Sequence, residues 1–199
     1  MTSMFSGTVM RRIVKEKESL RRDPPQDIRI VELGDSDITD LQALIMGPEK
    51  TPFEGGAFKC KVIYGSDYPS GPPTCTFITR IFHPNISTSG QVCLNTLKKD
   101  WNSEMTISHV LLTVKCLLIN PFPESALNED AGKLLLDGFS LFARQAKLMT
   151  SIHAIKSLQV DEILGYSMNP GSAVEDVQVQ QTECVKKKDD IRRRGLKRL

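Results

Sequence analysis

Residues 80–101 read RIFHPNISTSGQVCLNTLKKDW. No helical period runs through them, and apolar–polar alternation appears only from Gln91 to Asn95. Between Asn85 and Cys93 lie Ser87, Thr88, Ser89 and Gly90, a run of turn formers. A segment of this kind is fixed by tertiary packing and side-chain hydrogen bonds, and loops held that way often carry function. It offers a thiol and a nearby side-chain amide. A thiol takes an acyl group and passes it on, because a thioester yields to an amine more readily than an amide does. The N–H of Asn85 is a candidate stabiliser of the oxyanion formed in that attack. No histidine close in sequence to Cys93 is an obvious base, since His109 and His153 are far along the chain. An acyl carrier needs less activation than a hydrolytic Cys–His pair.

The flanks are patterned. Thr8 to Arg22 predicts a first helix, with Val9, Ile13 and Leu20 near one face and Arg11, Arg12, Lys15, Lys17, Arg21 and Arg22 on the other. Asp23-Pro24-Pro25 stops it. Four strand candidates follow, Ile28–Leu33, Leu41–Met46, Ala57–Ile63 and Thr74–Ile78, separated by Gly-, Asp- and Pro-rich connections as in an antiparallel meander. Cys60 and Cys75 fall inside strands and read as core. Beyond Trp101, Thr106 to Ile119 is apolar almost all round and predicts a central buried helix, capped by Thr106 or Ser103 and ended before Pro121. Cys116 within it reads as core. Glu129–Leu136 and Phe139–Ile155 predict two more helices, broken by Gly138. The class is α+β.

The pattern weakens past Ala154. The division expected is a catalytic domain over 1–155, a weakly ordered linker with room for one short helix over 156–182, and a tail over 183–199. That tail carries eight Lys/Arg against three acids, while the remainder of the chain has 18 against 21, so a net charge of +2 hides a basic end on a mildly acidic body. No apolar run reaches membrane-spanning length, and the start lacks the order of a secretory signal. Five cysteines without CxxC spacing argue against a zinc site and for a reducing compartment. A cytoplasmic and nuclear protein with no membrane partner is expected.

His83-Pro84-Asn85, Cys93, Leu94-Asn95-Thr96-Leu97 and Trp101 together resemble the ubiquitin-conjugating enzymes. The resemblance continues through Asp23-Pro24-Pro25, Met46-Gly47-Pro48, Thr51 to Gly56, Tyr68-Pro69, Pro72-Pro73 and Asn120 to Pro123, and covers about residues 8–154. It implies the fold of that family. It also implies an enzyme that accepts ubiquitin from the activating enzyme as a thioester on Cys93 and transfers it to a lysine with a RING-type ligase. No bound cofactor is implied, because ATP is consumed upstream. Asn85 is then the oxyanion stabiliser, a brace for the loop, or both. His83 is read as structural and Trp101 as a packing anchor. Lys98 is either a site of self-modification or a surface lysine. Where many members carry an acid, this chain has Ser125. Glu129 is the substitute that would orient the incoming lysine, unless it is only a helix-start acid.

Within the family, Lys98 to Glu129 is similar to the members that elongate lysine-eleven-linked chains with the anaphase-promoting complex. Those members end in a basic peptide of the order leucine, two basics, leucine, and here Leu196, Lys197, Arg198 and Leu199 close the chain. Ser70 and Asn102-Ser103-Glu104 replace the apolar ligase contacts of promiscuous members, so recruitment by the tail would compensate through effective concentration. The alternatives are conjugation of another linkage or another ubiquitin-like modifier, a nonenzymatic ubiquitin scaffold, and a nucleic-acid-binding module driven by the tail. The tail basics have no interleaved aromatics, which disfavours stacking on single strands.

Overall fold

The computed structural model describes residues 5–31, 39–93, 97–98, 101–160 and 164. The tail, the closing Leu-Lys-Arg-Leu, Cys184 and most of the linker lie outside the described residues. The chain divides into a compact unit, Met1–Leu164, and a second unit, Gly165–Leu199.

Helix α1 spans Gly7–Arg22. Ser6 caps it, its side chain accepting from Val9 N at 3.3 Å. Ile13 and Leu20 are buried as expected, and so are Glu16 and Lys17. Lys17 therefore leaves the solvated face to which the sequence pattern assigned it.

Strands β1 (Ile28–Val31), β2 (Asp40–Met46), β3 (Gly56–Ile63) and β4 (Thr74–Phe77) form the expected antiparallel meander in the order β1-β2-β3-β4. The register pairs Ile45 with both Ile28 and Phe58, and Val62 with Cys75. Alternation puts Ile28, Ile30, Ala43, Ile45, Phe58, Cys60, Val62, Cys75 and Phe77 on one face, all in the main core. Helix α2 (Ile107–Ile119) contributes Ile107, Val110, Leu111, Val114, Leu117 and Leu118 to that core. Cys60 and Cys75 are buried; Cys116, expected in the core, is only partly buried.

The capping of α2 also differs from expectation. Thr106 occupies the cap position but its side chain makes no cap bond. The Glu16 carboxylate of α1 accepts from Ile107 N instead, at 3.1 Å, and so puts its charge at the positive end of the helix.

Helices α3 (Glu129–Asp137) and α4 (Phe139–His153) follow, with Asn128 capping α3 through a 3.1 Å bond from Ala131 N. The sequence pattern ran the last helix to Ile155, but Ile155–Lys156 is a short strand, β5, paired with Gly56 and Ala57. It takes the stretch of the β3 edge that β4 leaves free. The chain then crosses the outer face of the sheet, where Val160 is fully buried with Leu44 and Ala57, and Val31, Met46, Ile155 and Leu164 pack around them. The compact unit thus continues past residue 155. No helix among the described residues is long and apolar enough to cross a membrane.

Candidate active site

Cys93 is held by a small hairpin laid against the end of β4. Ile86 and Val92 form an antiparallel bridge, as do Thr76 and Gln91. The turn is closed by Gly90 N donating to Ser87 O at 2.9 Å and Gln91 N to the Ser87 hydroxyl at 3.0 Å. Gly90 has φ +90°, and a Cβ there would stand 2.1 Å from the carbonyl oxygen of Phe77. Only glycine meets both demands. Cys93 N donates to the Asn85 carbonyl at 2.9 Å, and the cysteine is 5 % exposed.

His83 and Asn85 are fully buried. His83 Nε2 donates to the Leu117 carbonyl near the end of α2 at 2.9 Å, and its Nδ1 accepts from Asn85 N at 3.1 Å. One ring nitrogen donates and the other accepts, so the ring is neutral. Burial pushes its pKa down from 6.5 to about 4, the bond to Leu117 opposing this only in part. The ring links the central helix to the turn that precedes the cysteine.

The Asn85 side chain is a brace. Its Nδ2 donates to the carbonyls of Phe122 (2.7 Å) and Ser125 (3.1 Å), and its Oδ1 accepts from Phe122 N at 2.8 Å. Both amide hydrogens are engaged. Next to it, Leu127 N and Asn128 N donate to the Pro84 carbonyl at 2.8 and 3.0 Å. The segment 122–128 and the start of α3 are therefore tied to the turn at 83–85. Glu129 opens α3 and is exposed, immediately after the residue bound to Pro84. Ser125 enters the site through its backbone carbonyl. Lys98 is exposed.

A second polar cluster ties α1 to the loops around Tyr68 and Ser103. Glu16 Oε1 accepts from Arg12 Nε and from the Tyr68 hydroxyl, both at 2.7 Å. Arg12 also donates to the carbonyls of Ser103 and Met105, and its guanidinium lies 5.3 Å from the Tyr68 ring centre. Burial, then the bond to Glu16, pushes the Tyr68 phenol above its usual range. Trp101 packs against the core and donates from Nε1 to the Pro69 carbonyl at 3.0 Å. The loops carrying Ser70 and Asn102–Glu104 are thereby fastened to α1.

Sequence reasoning named Cys93, Asn85, His83 and Trp101 but missed Glu16, Arg12 and Tyr68. One signal was available: Ile13, Glu16 and Leu20 share a helical stripe, so a carboxylate sat among apolar neighbours. The backbone acceptors at Leu117, Phe122 and Ser125 had no signal, because any residue supplies a carbonyl. Among the described residues, no group of three or more His, Cys, Asp or Glu side chains is placed to hold a metal ion.

The profile of ubiquitin-conjugating enzymes matches residues 12–150. The chain belongs to this family, transferases that carry ubiquitin as a cysteine thioester between an activating enzyme and a ligase-bound acceptor. Its fold is accordingly like that of the E2 domain of a Toxoplasma gondii ubiquitin conjugating enzyme, with TM-score 0.65 and 33 % identity over 73 % of this chain and 98 % of that one. Among characterised relatives it is similar to ubiquitin-conjugating enzyme E2 S of Nematostella vectensis, 47 % identical over 98 % of this chain and 95 % of the relative. The E2 S proteins of Xenopus tropicalis and Homo sapiens are 55 % and 50 % identical over 73 % of this chain, spanning 69 % and 65 % of their own lengths.

Proposed function

We propose that this chain elongates lysine-eleven-linked ubiquitin chains with the anaphase-promoting complex, carrying ubiquitin on Cys93. The support is its similarity to E2 S relatives across the catalytic unit, together with the Leu196-Lys197-Arg198-Leu199 segment within a basic stretch. In the first step the Cys93 sulfur attacks the activating enzyme's thioester carbonyl and the other thiol leaves. In the second, a lysine amine attacks the Cys93 thioester. The C–N bond forms, the C–S bond breaks, and the amine proton is lost. ATP is used upstream, and no bound cofactor takes part.

The observation that carries the site assignment is the hydrogen-bonded frame around one cysteine: Asn85 O to Cys93 N on one side, and Asn85 to Phe122 and Ser125 on the other. In this reading Asn85 first fixes the wall that an incoming lysine passes. An oxyanion role needs one of its two N–H groups released, and the 3.1 Å bond to Ser125 is the longer. Glu129 fits a positioning role because the start of α3 is pinned to Pro84. Lys98, exposed and five residues beyond the nucleophile, fits an intramolecular acceptor. Free cysteines among the described residues fit a reducing compartment, cytoplasm and nucleus.

The test is reconstitution with activating enzyme, ATP and ubiquitins that each lack one lysine. A reductant-sensitive adduct, replaced by a stable oxyester in Cys93→Ser, and chains lost only with the eleventh-residue lysine are expected. Chains of mixed linkage would refute the elongator and leave the family assignment. Removing 196–199 should preserve charging and abolish activity that depends on the anaphase-promoting complex.

A further inference from the structure

Helix α4 carries an outward ridge that the conjugation chemistry does not use. Its inner face buries Phe142, Ala146 and Thr150. On the opposite side Leu141, Leu148 and Ile152 are 52 %, 51 % and 61 % exposed. Spaced by seven and then four residues, they form one stripe of about 16 Å. With Gln145 the stripe has the period of a coiled-coil seam: Leu141 and Leu148 fall at d positions, Gln145 and Ile152 at a positions. Apolar side chains in register along a helix, left bare, mark an interaction surface rather than ordinary scatter.

Charge selects the occupant. The sequence of α4, FSLFARQAKLMTSIH, contains no Asp or Glu. Arg144, at a g position, is exposed on one border of the stripe, Lys147 is exposed farther round the same side, and neither has an ion-pair partner among the described residues. We propose that this ridge docks an acidic amphipathic helix of a partner protein, apolar at heptad spacing and carrying Asp or Glu on the flank that faces Arg144, with Lys147 adding to the positive field on that side. A second copy of this chain fits worse, because it brings the same cations against each other. An anionic bilayer fits worse as well. It would bury Gln145 in the middle of the apolar stripe, whereas a polar a position is tolerated between helices and sets their register.

The test uses the full chain and two synthetic helical peptides with leucine at a and d, one with Glu at e and g and one with Lys. Fluorescence anisotropy at low salt should show the Glu peptide bound roughly tenfold or more tightly than the Lys peptide, with the gap closing as salt rises. Leu148→Glu with Ile152→Glu should cost roughly tenfold or more for the Glu peptide. Arg144→Glu with Lys147→Glu should invert the preference. Both pairs are exposed and should leave Cys93 charging and circular dichroism unchanged. Binding of neither peptide, or equal binding of both, overturns the proposal. So does preferential retention on phosphatidylserine vesicles that the Leu148/Ile152 changes abolish. Self-association in sedimentation velocity that is lost in the same variant would overturn it in favour of a second copy.

Discussion

Asn85 joins the turn before Cys93 to the segment 122–125, and its three side-chain bonds give it a measurable signature. Asn85→Ala removes two donors and an acceptor, and leaves Phe122 N–H and two carbonyls to find water or stay unpaired. A loss of roughly 2–4 kcal/mol is expected by chemical denaturation, together with lysine discharge slowed more than charging. A purely oxyanion-stabilising amide would lower discharge and leave stability unchanged. His83 gives a second signature. Its pKa is lowered from 6.5 to about 4, so the unfolded chain takes up the proton first as pH falls. Its contribution to stability is complete above pH 6.5 and disappears as pH approaches 4, a change of up to about 3 kcal/mol. Ring nitrogen shifts in NMR should show no protonation of His83 above about pH 5, and a pKa near 6.5 would contradict the burial argument. These residue types and spacings were legible in the sequence. Their partners were not, since carbonyls at Leu117, Phe122 and Ser125 leave no trace in side-chain identity.

At the scale of elements, the hairpin at 86–92 and the start of α2 decide where the cysteine sits. Gly90→Ala forces a Cβ onto the Phe77 carbonyl at a positive φ, and should cost roughly 2–4 kcal/mol and reduce thioester formation in a single-turnover charging assay. Glu16 serves α2 from another helix, accepting from Ile107 N, Arg12 and Tyr68 together. Glu16→Gln keeps the shape and removes the charge; a loss of roughly 2–4 kcal/mol in urea unfolding is expected. An unchanged midpoint would show that Thr106 caps α2 after all. Strand and helix existence followed from period alone, because alternation and 3.6-residue repeats are local. The ends did not. Thr106 looked like a sufficient cap, and Ile155 looked helical until β3 offered it an edge.

For the whole molecule, the outer face of the sheet is closed by the chain's own return through Ile155, Val160 and Leu164. Cutting after Ala154 should strip Leu44 and Ala57 of their cover and lower stability by roughly 2–4 kcal/mol, counted from buried apolar surface. Cutting after Leu164 keeps that cover and should give a higher thermal midpoint than the cut after Ala154. Equal midpoints for the two truncations would mean that this packing contributes nothing. The weak pattern past residue 154 concealed the boundary, since a few apolar residues spread over ten positions have no period to detect.

The sequence alone determined the α+β class, the order of helices and strands, and the cysteine, histidine and asparagine that the proposed site is built on. Each of these rests on local periodicity or on a side chain of special chemistry, which short windows preserve. The tertiary structure alone decided that Asn85 is braced through both amide hydrogens, that Glu16 caps a helix other than its own, that Lys17 is buried, and that the segment after α4 covers the sheet. Each of these is a pairing of groups distant along the chain, and only the folded backbone sets which groups meet.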